Sequence, residues 1–490
     1  MSETSSQTDR VHPGVTLAVL SVGGLAYAVL SSAIVPALPT IQHSLHTTET
    51  GVTWLLTGYL LSASVGTAIL GRLGDMYGKE RVLLWTLIIL AAGTLLAALA
   101  HSLPLLITAR VIQGVGGGIF PLAFGIIRDE FPREQVAGSI GLMSAILGIG
   151  AGVGIVAGAA IVEQLSWQWL FWLPLVVVVL AALCTWRFVP ESPVRLPGRV
   201  NWPAAALMSL GISTFLLAIS ETTVWGWGAA RTLGLLIAGL IICAVWAVVE
   251  TRSREPLIDM TMMRIRGVWT TNLTAFLLGA GMYSSFIIFP QFAQLPKSTG
   301  FGFGASVVVS GLYLLPSTLA MVLVGFAAGP IARRYGSKPA VVVGSIFAAG
   351  SFSLIAALHD HPYDMLASAA LLGIGIGLAF AALGNLIVNA VAPHQTGAAG
   401  GMNTVMRTIG GAIGGQLAAT SIANHTATGG LPTVAGFTNT FWMATGFLIV
   451  CTFTGLLIPS SRARTAQTSP VWREAETEIA PQPGARTSTL

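Results

Sequence analysis

The 490-residue chain is 54% hydrophobic and only 9% charged, and its formal net charge is +5. Soluble proteins are about 25% charged, so this composition excludes an array of soluble domains, a disordered protein and a nucleic-acid-binding protein. The three cysteines lie in apolar runs and provide neither a disulfide framework nor a zinc-binding pattern. We therefore expect an integral membrane protein without a bound metal.

Apolar runs bounded by glycine, proline and charged residues recur along the chain. Most are about 20 residues long, which is enough for a helix to cross a bilayer. We predict an all-α polytopic membrane protein with about fourteen spans. In chain order they are 15–38, 52–70, 83–100, 104–127, 135–161, 168–188, 203–220, 232–249, 268–290, 305–328, 340–358, 365–391, 398–422 and 438–458.

The distribution of lysine and arginine predicts the orientation, because cytosolic loops carry an excess of these residues. If the N-terminus is cytosolic, 20 of the 24 basic residues fall on the cytosolic side. Only Arg231 and Lys297 fall outside, and Arg110 and Arg407 lie within spans. This bias predicts cytosolic termini in the plasma membrane and accounts for the positive charge without a nucleic-acid partner.

A loop motif occurs twice, once in each half of the chain. Gly71, Tyr77 and Gly78 after the second span align with Gly329, Tyr335 and Gly336 after the tenth. Six spans are therefore predicted to be duplicated, with an extra pair between the copies, and duplicated halves are typical of transporters.

The predicted organisation has five parts. They are a cytosolic tail (1–14), an N-terminal six-helix half (15–190), two inserted spans with a cytosolic linker (191–267), a C-terminal six-helix half (268–459) and a disordered cytosolic tail (460–490).

The 19 acidic residues avoid the middle of every predicted span. Proton relays usually use carboxylates inside the membrane. If the protein is proton-coupled, the candidate carboxylates are Glu163 and Glu221 at the outer ends of spans. The alternative is that both are ordinary loop carboxylates.

Two arginines within spans must face protein or a water-filled cavity, because an unpaired charge in lipid is costly. Arg110 shares a helix face with Gln113, and Arg407 lies one turn after Asn403. Each arginine is interpreted either as a cavity residue that serves coupling or substrate binding, or as a structural cation that satisfies backbone carbonyls or packing.

Several motifs occur together in the order expected of one family. Gly71-Arg-Leu-Gly-Asp75-Met-Tyr-Gly78-Lys79 fits the pattern G-x-L-[GA]-D-x-x-G-[RK], and Arg110-Val-Ile-Gln113-Gly fits R-x-x-Q-G. With further motifs in spans two, six, ten and thirteen, the chain resembles the Major Facilitator Superfamily over roughly residues 15–460. Within that superfamily it resembles the 14-span drug:proton antiporter branch.

This resemblance implies a secondary active exporter that works by alternating access. Its substrates would be small hydrophobic or amphipathic compounds such as drugs, antibiotics or secondary metabolites. The proton gradient would drive it without a bound cofactor, and we expect a monomer in the lipid bilayer.

The resemblance also assigns a conformational latch to the motif between spans two and three. Its charged members would be Asp75, Lys79, Arg81 and Asp129, with Asp75 facing a helix N-terminus. Gly71 and Gly78 are the glycines of the motif. The alternative is an ordinary positively charged cytosolic loop with turn glycines.

The spans that would line a central cavity carry polar and aromatic residues at helical spacing. These candidate substrate contacts are Tyr27, Ser31, Asn272, Tyr283, Asn385, Asn389 and Asn403. The asparagines could instead form hydrogen bonds between helices. A cavity without acidic residues in its spans is less suited to strongly cationic substrates.

The chain departs from the branch in three places. Val153 replaces the usual proline of span five, span one lacks an aspartate before Ala37-Leu-Pro39, and Arg333 stands where the first motif copy has Asp75.

The sequence features also bear on other functions. An uptake or metabolite carrier of the same fold would have the same sequence features. An integral-membrane enzyme would need clustered histidines or carboxylates at one membrane face, and a receptor or channel would not need duplicated halves. The glycine clusters lack the context of a nucleotide-binding loop and are interpreted as sites of close helix packing.

Overall fold

The computed structural model describes residues 12–191, 201–253, 256–425 and 431–459. Helices account for most of these ranges. The predicted tail at 460–490 and most of the predicted tail at 1–14 lie outside the described residues.

Fourteen long helices follow one another in the described part of the chain. They are α1 (Pro13–Ser32), α2 (Glu49–Tyr77), α3 (Lys79–Ala98), α4 (Leu103–Gly114 and Ile119–Glu130, joined by the 3-10 turn Val115–Gly118), α5 (Arg133–Gln164), α6 (Trp169–Phe188), α7 (Trp202–Ser220), α8 (Ala230–Arg252), α9 (Arg266–Gln294), α10 (Leu315–Tyr335), α11 (Ser337–Ala357), α12 (Pro362–Ala390), α13 (Thr396–Ala423) and α14 (Val434–Leu457). Shorter helices are Leu38–Ser44, Thr222–Trp225, Met260–Arg264 and Val307–Leu312.

Thirteen helices in the described ranges are long and apolar enough to cross a membrane. The remaining long helix, α13, contains Asn403, Arg407 and Gln416, which lower its hydropathy. The prediction of an all-α polytopic protein is confirmed, and the count of fourteen spans stays a prediction.

The helices form two buried clusters. Helices α1 to α6 make up most of the first cluster, and helices α9 to α14 make up the second. We call these groups of helices the first set and the second set. The sets meet chiefly where α5 packs on α10 and where α2 packs on α13.

Helices α7 and α8 pack on each other and lie beside the junction of the two sets. Helix α7 contacts both α2 and α13. In the connection after α7, Trp227 Nε1 donates a hydrogen bond to Thr420 Oγ1 of α13 at 2.9 Å. The pair is thereby attached to the second set as well as to the first.

The duplicated motif has the same backbone geometry in both copies. Gly78 ends α2 with a φ of 107°, and Gly336 ends α10 with a φ of 83°. L-amino acids that carry a Cβ atom rarely adopt a positive φ. Glycine has no Cβ atom and therefore allows a sharp turn between consecutive helices. The residues from Gly71 to Tyr77 belong to the last two turns of α2 rather than to a loop, and the turn itself is confined to Gly78.

One end of the bundle collects most of the basic residues that the structure describes. We call it the basic end. Here α2 meets α3, α4 meets α5, α10 meets α11 and α12 meets α13. It carries Arg72, Lys79, Arg81, Arg128, Arg133, Arg187, Arg252, Arg264, Arg266, Arg334 and Lys338.

Candidate functional site

A buried lysine lies at the centre of the basic end. Lys79 begins α3, and its side chain is 0% exposed. Its Nζ lies 2.6 Å from Asp129 Oδ2 and 3.6 Å from Asp75 Oδ1. Because an unpaired buried charge is strongly destabilising, these two carboxylates are what allow a lysine to be enclosed here.

Asp75 also links the two sets of helices. Its Oδ1 accepts a hydrogen bond from the Gly397 backbone N–H at 3.2 Å, and its Oδ2 accepts one from the Ala398 N–H at 3.1 Å. These amides belong to the first turn of α13, where free N–H groups and the helix dipole favour a negative charge. Asp75 therefore faces a helix N-terminus, as the resemblance implied.

Arg128, at the end of α4, forms a second link between the sets. Its guanidinium donates hydrogen bonds to the carbonyl oxygens of Val391 at 2.9 Å and Ala392 at 3.3 Å, and to Thr396 Oγ1 at 2.6 Å. Sequence reasoning counted Arg128 only as an orientation signal. The sequence signal that could have identified Arg128 as a site residue is its position next to Asp129, in the last turn of α4.

Arg81 lies outside this buried group. Its side chain is 64% exposed and its Nε pairs with Glu191 Oε2 at 3.0 Å. A surface pair of this kind contributes little to stability. The structure thus brings Asp75, Lys79 and Asp129 together and leaves Arg81 at the edge of the group.

Gly71 and Gly397 allow α2 and α13 to approach closely beside Asp75. A Cβ atom added to either glycine would overlap the carbonyl oxygen of the other. This contact brings the Asp75 carboxylate within reach of the α13 amides.

Gly71→Ala is expected to push α2 and α13 apart and to lower stability by about 1–3 kcal/mol, the usual cost of overpacking. The thermal unfolding midpoint of the purified protein in detergent measures this effect. Gly350→Ala in α11 is the matched control, because a Cβ atom there meets nothing within 4 Å. If both variants unfold at the native temperature, the close contact is not required.

His394 lies in the short connection between α12 and α13 at the basic end. Burial, followed by the positive charges of Arg72, Arg128 and Lys79, lowers the pKa of His394 from its usual 6.5. The ring therefore binds a proton more weakly in the folded state than in the unfolded state. Because of this difference, the folded state loses stability as the pH falls below about 6.5.

His394→Gln removes this titration. We expect the variant to lose less thermal stability than the native chain when the pH is lowered from 7 to 5. Unfolding midpoints across this range measure the difference. Identical pH profiles for the two proteins would contradict the assignment.

Arg110 is fully buried and connects three helices. Its Nε donates a hydrogen bond to Leu55 O at 3.2 Å, and its Nη1 donates to Leu30 O at 3.1 Å and to Gln113 Oε1 at 2.8 Å. The guanidinium lies over the Tyr59 ring, 4.1 Å from its centroid, and Nη2 has no hydrogen-bond partner among the described residues. The contacts satisfy backbone carbonyls, yet both N–H groups of Nη2 are left without an acceptor among the described residues.

Gln113 extends this network. Its Nε2 donates a hydrogen bond to Thr94 Oγ1 of α3 at 3.1 Å. The predicted pair of Arg110 and Gln113 is therefore in direct contact, in a chain of hydrogen bonds that begins on α1 and α2 and ends on α3.

Arg407 projects from the middle of α13 and stacks on the Phe380 ring of α12, 4.7 Å from its centroid. Tyr283 of α9 and Tyr27 of α1 lie within electrostatic range of its guanidinium. Arg407 thus contacts an aromatic ring of the second set and interacts electrostatically with tyrosines of both sets.

The predicted polar cavity residues have different surroundings. Asn403 Nδ2 donates to Asn272 Oδ1 at 3.0 Å and so joins α13 to α9. Asn385 Nδ2 donates to the carbonyls of Ala137 and Ala381 at 3.0 and 2.9 Å. These bonds match the alternative interpretation, in which the asparagines connect helices.

The remaining cavity candidates lie apart from one another. Ser31 donates a hydrogen bond to Ala28 O in its own helix at 2.7 Å. Asn389 is exposed near the basic end of α12, Tyr283 is partly exposed and Tyr27 is buried. The structure brings Tyr27 and Tyr283 towards Arg407 and does not place Ser31 or Asn389 in that group.

The two candidate proton-binding carboxylates lie at the opposite end of the bundle. Glu163 is exposed near the end of α5, whereas Glu221 is 8% exposed at the end of α7. Among the described residues, the ionisable neighbours of Arg110 are Tyr59 and Tyr27 rather than a carboxylate. Val153, at the position of the missing proline, is exposed on the outside of α5.

Comparisons with known proteins agree with this architecture. The family model of the Major Facilitator Superfamily matches residues 20–415. The multidrug transporter protein MdtP of Bacillus subtilis (strain 168) is 30% identical over 74% of this chain and 67% of its own length. The tetracenomycin C resistance and export protein of Streptomyces glaucescens is 28% identical over 84% of this chain and 77% of its own length.

Among solved structures, the human organic anion transporter MFSD10 (TETRAN) superposes with a TM-score of 0.66 at 16% identity. The match covers 90% of this chain and 99% of the other. At this identity the likeness shows the fold alone.

The predictions of a multi-pass plasma-membrane protein and of a transporter rather than an enzyme are confirmed by these matches. Because the family model covers the greater part of a polytopic helical bundle, the chain belongs to the Major Facilitator Superfamily of membrane transporters.

Proposed function

We propose that the chain is a proton-coupled exporter of small hydrophobic or amphipathic compounds that works by alternating access. It would cross the plasma membrane fourteen times, with both termini and the basic end in the cytosol. Residues 15–190 and 268–459 would form two six-helix halves, with the α7–α8 pair inserted between them. The names of the multidrug and tetracenomycin C relatives support this substrate class.

The observation that carries this proposal is the group of bonds that joins the two sets at the basic end. Asp75 accepts hydrogen bonds from the first turn of α13, and Arg128 donates to the connection that precedes it. A few hydrogen bonds at the place where the two sets of helices meet can break and reform, as a rocking motion requires. Asp75, Lys79 and Asp129, together with Gly71 and Gly78, would form the latch.

The coupling step is assigned to the Arg110 network. Gln113 and Thr94 hold Arg110 in place inside the membrane, where its charge would shift the proton affinity of a nearby group. Glu163, Glu221 and Arg407 remain further candidates for coupling. Tyr27 and Tyr283 are the proposed substrate contacts nearest to Arg407.

Reconstitution in lipid vesicles tests this function. The full-length chain is placed in vesicles with an imposed pH gradient, and accumulation of a panel of lipophilic dyes and antibiotics is followed. We expect accumulation that collapses on addition of a protonophore. Empty vesicles with the same gradient are the control, and movement that ignores the gradient, or no movement of any compound, would contradict the proposal.

A further inference from the structure

A cluster of tyrosine and arginine side chains crosses the junction between the two sets of helices. Tyr27, Tyr59 and Arg110 come from the first set, and Tyr283 and Arg407 come from the second. The Tyr27 and Tyr59 rings are stacked with centroids 6.0 Å apart. Tyr27 lies within electrostatic range of Tyr283 and of both arginines, so the five side chains form one electrostatic neighbourhood.

As far as the structure describes the chain, this neighbourhood carries positive charge without a carboxylate. The described groups that act on Arg110 are Tyr59 and Tyr27, and those that act on Arg407 are Tyr283 and Tyr27. The 19 acidic residues of the chain avoid the middle of its spans. A charge held inside a membrane without a counter-ion is costly and marks a functional position.

Of the two cations, Arg407 is available to a ligand. It makes no hydrogen bond or ion pair with a described residue, and part of its surface remains accessible although the bundle surrounds it. Arg110, by contrast, is fully buried and donates to two carbonyls and to Gln113. A guanidinium has five N–H donors in a planar fork, and those of Arg407 have no hydrogen-bond acceptor among the described residues.

On the basis of the proposed export function, we propose that Arg407 makes this transporter selective for amphipathic compounds in their anionic form. The guanidinium binds a carboxylate, sulfonate or phenolate group of the substrate, and the rings of Tyr27 and Tyr283 contact its apolar part. Arginine suits this role because its fork matches the geometry of planar anions. The apolar surroundings strengthen the charge interaction relative to water.

Two ligands that differ by one anionic group provide the test. N-phenyl-1-naphthylamine is neutral, and 8-anilinonaphthalene-1-sulfonate adds a sulfonate to the same skeleton. Their fluorescence is titrated with the full-length chain in phosphatidylcholine nanodiscs, where no anionic lipid competes, and the signal of empty discs is subtracted. The native chain is expected to bind the sulfonate at least about tenfold more tightly than the neutral compound.

Variants of the chain test whether Arg407 causes the tighter binding of the sulfonate. Arg407→Gln is expected to lose the preference while its affinity for the neutral compound stays within about twofold of native, and Arg407→Lys is expected to keep most of the preference. Arg187→Gln, which removes an exposed arginine at the basic end, should leave both affinities unchanged.

Two results would overturn the inference. One is a native chain that binds the sulfonate no more tightly than the neutral compound, and the other is an Arg407→Gln variant that weakens both ligands equally. The titration needs no gradient, so it is independent of the export assay. Gradient-driven export by a chain without sulfonate preference would refute the selectivity alone, whereas preference without export would refute the proposed transport alone.

Discussion

The variant Asp75→Asn is expected to lose transport while its abundance in the membrane stays near the native level. The amide would remove the negative charge that now accepts hydrogen bonds from Gly397 and Ala398. The NH2 group of asparagine would also face one of those N–H groups, so that two donors would oppose each other. Hydrogen bonds to charged groups contribute about 1.5–3 kcal/mol each, so their loss would shift the balance between closed and open conformations at least about tenfold.

Folding should survive this change because Lys79 keeps a partner. Its Nζ is closer to Asp129, at 2.6 Å, than to Asp75, at 3.6 Å. The buried ammonium group therefore remains paired in the variant. This is why a loss of transport, rather than a loss of protein, is the expected result.

Dye efflux from vesicles and immunoblotting of membranes measure the two quantities separately. Asp360→Asn is the matched control, because it neutralises an exposed carboxylate at the opposite end of the bundle and should leave transport unchanged. Normal efflux by Asp75→Asn would refute the latch.

Arg110→Lys is the second variant with a large expected effect: it should lose most of the transport that a pH gradient drives. Lysine keeps the charge, but a single ammonium group cannot replace the fork that reaches Leu30 O, Leu55 O and Gln113. It also lacks the planar surface that lies over Tyr59. The variant would keep the positive charge but lose the hydrogen bonds that position it.

Initial rates with and without a pH gradient separate coupling from binding in this variant. Arg187→Lys is the control, since Arg187 is exposed and its guanidinium lies 5.4 Å from the Phe188 ring centroid. If Arg110→Lys retains gradient-driven transport, Arg110 is a structural cation and the coupling assignment fails.

The amino-acid sequence was sufficient to predict the helices and their duplication. Hydropathy is a local sum of transfer free energies, so apolar runs coincide with helices even where caps and boundaries move. The boundary errors had consequences, because α2 continues to Tyr77 and makes Asp75 part of a helix. The motif that contains Asp75, Lys79 and Gly78 was recognisable because its residues are adjacent in the chain.

The contacts of those residues depended on distant parts of the chain. Asp75 is hydrogen-bonded to amides more than 300 residues away, and Arg128 donates a hydrogen bond to the connection before α13. No local pattern predicts such pairs, since they depend on how two separately formed cores pack against each other. Glycine contacts such as that of Gly71 with Gly397 decide this packing.

The sequence by itself determined that this is a polytopic helical protein with duplicated motifs, with basic residues concentrated at one end and no acidic residue in the middle of a span. Only the tertiary structure decided what surrounds the two arginines within spans. Arg110 donates hydrogen bonds to carbonyls of two other helices, whereas Arg407 stacks on Phe380 and has no hydrogen-bond partner among the described residues. The reason is physical: burying a charge depends on which helices surround it, and the packing of helices decides that.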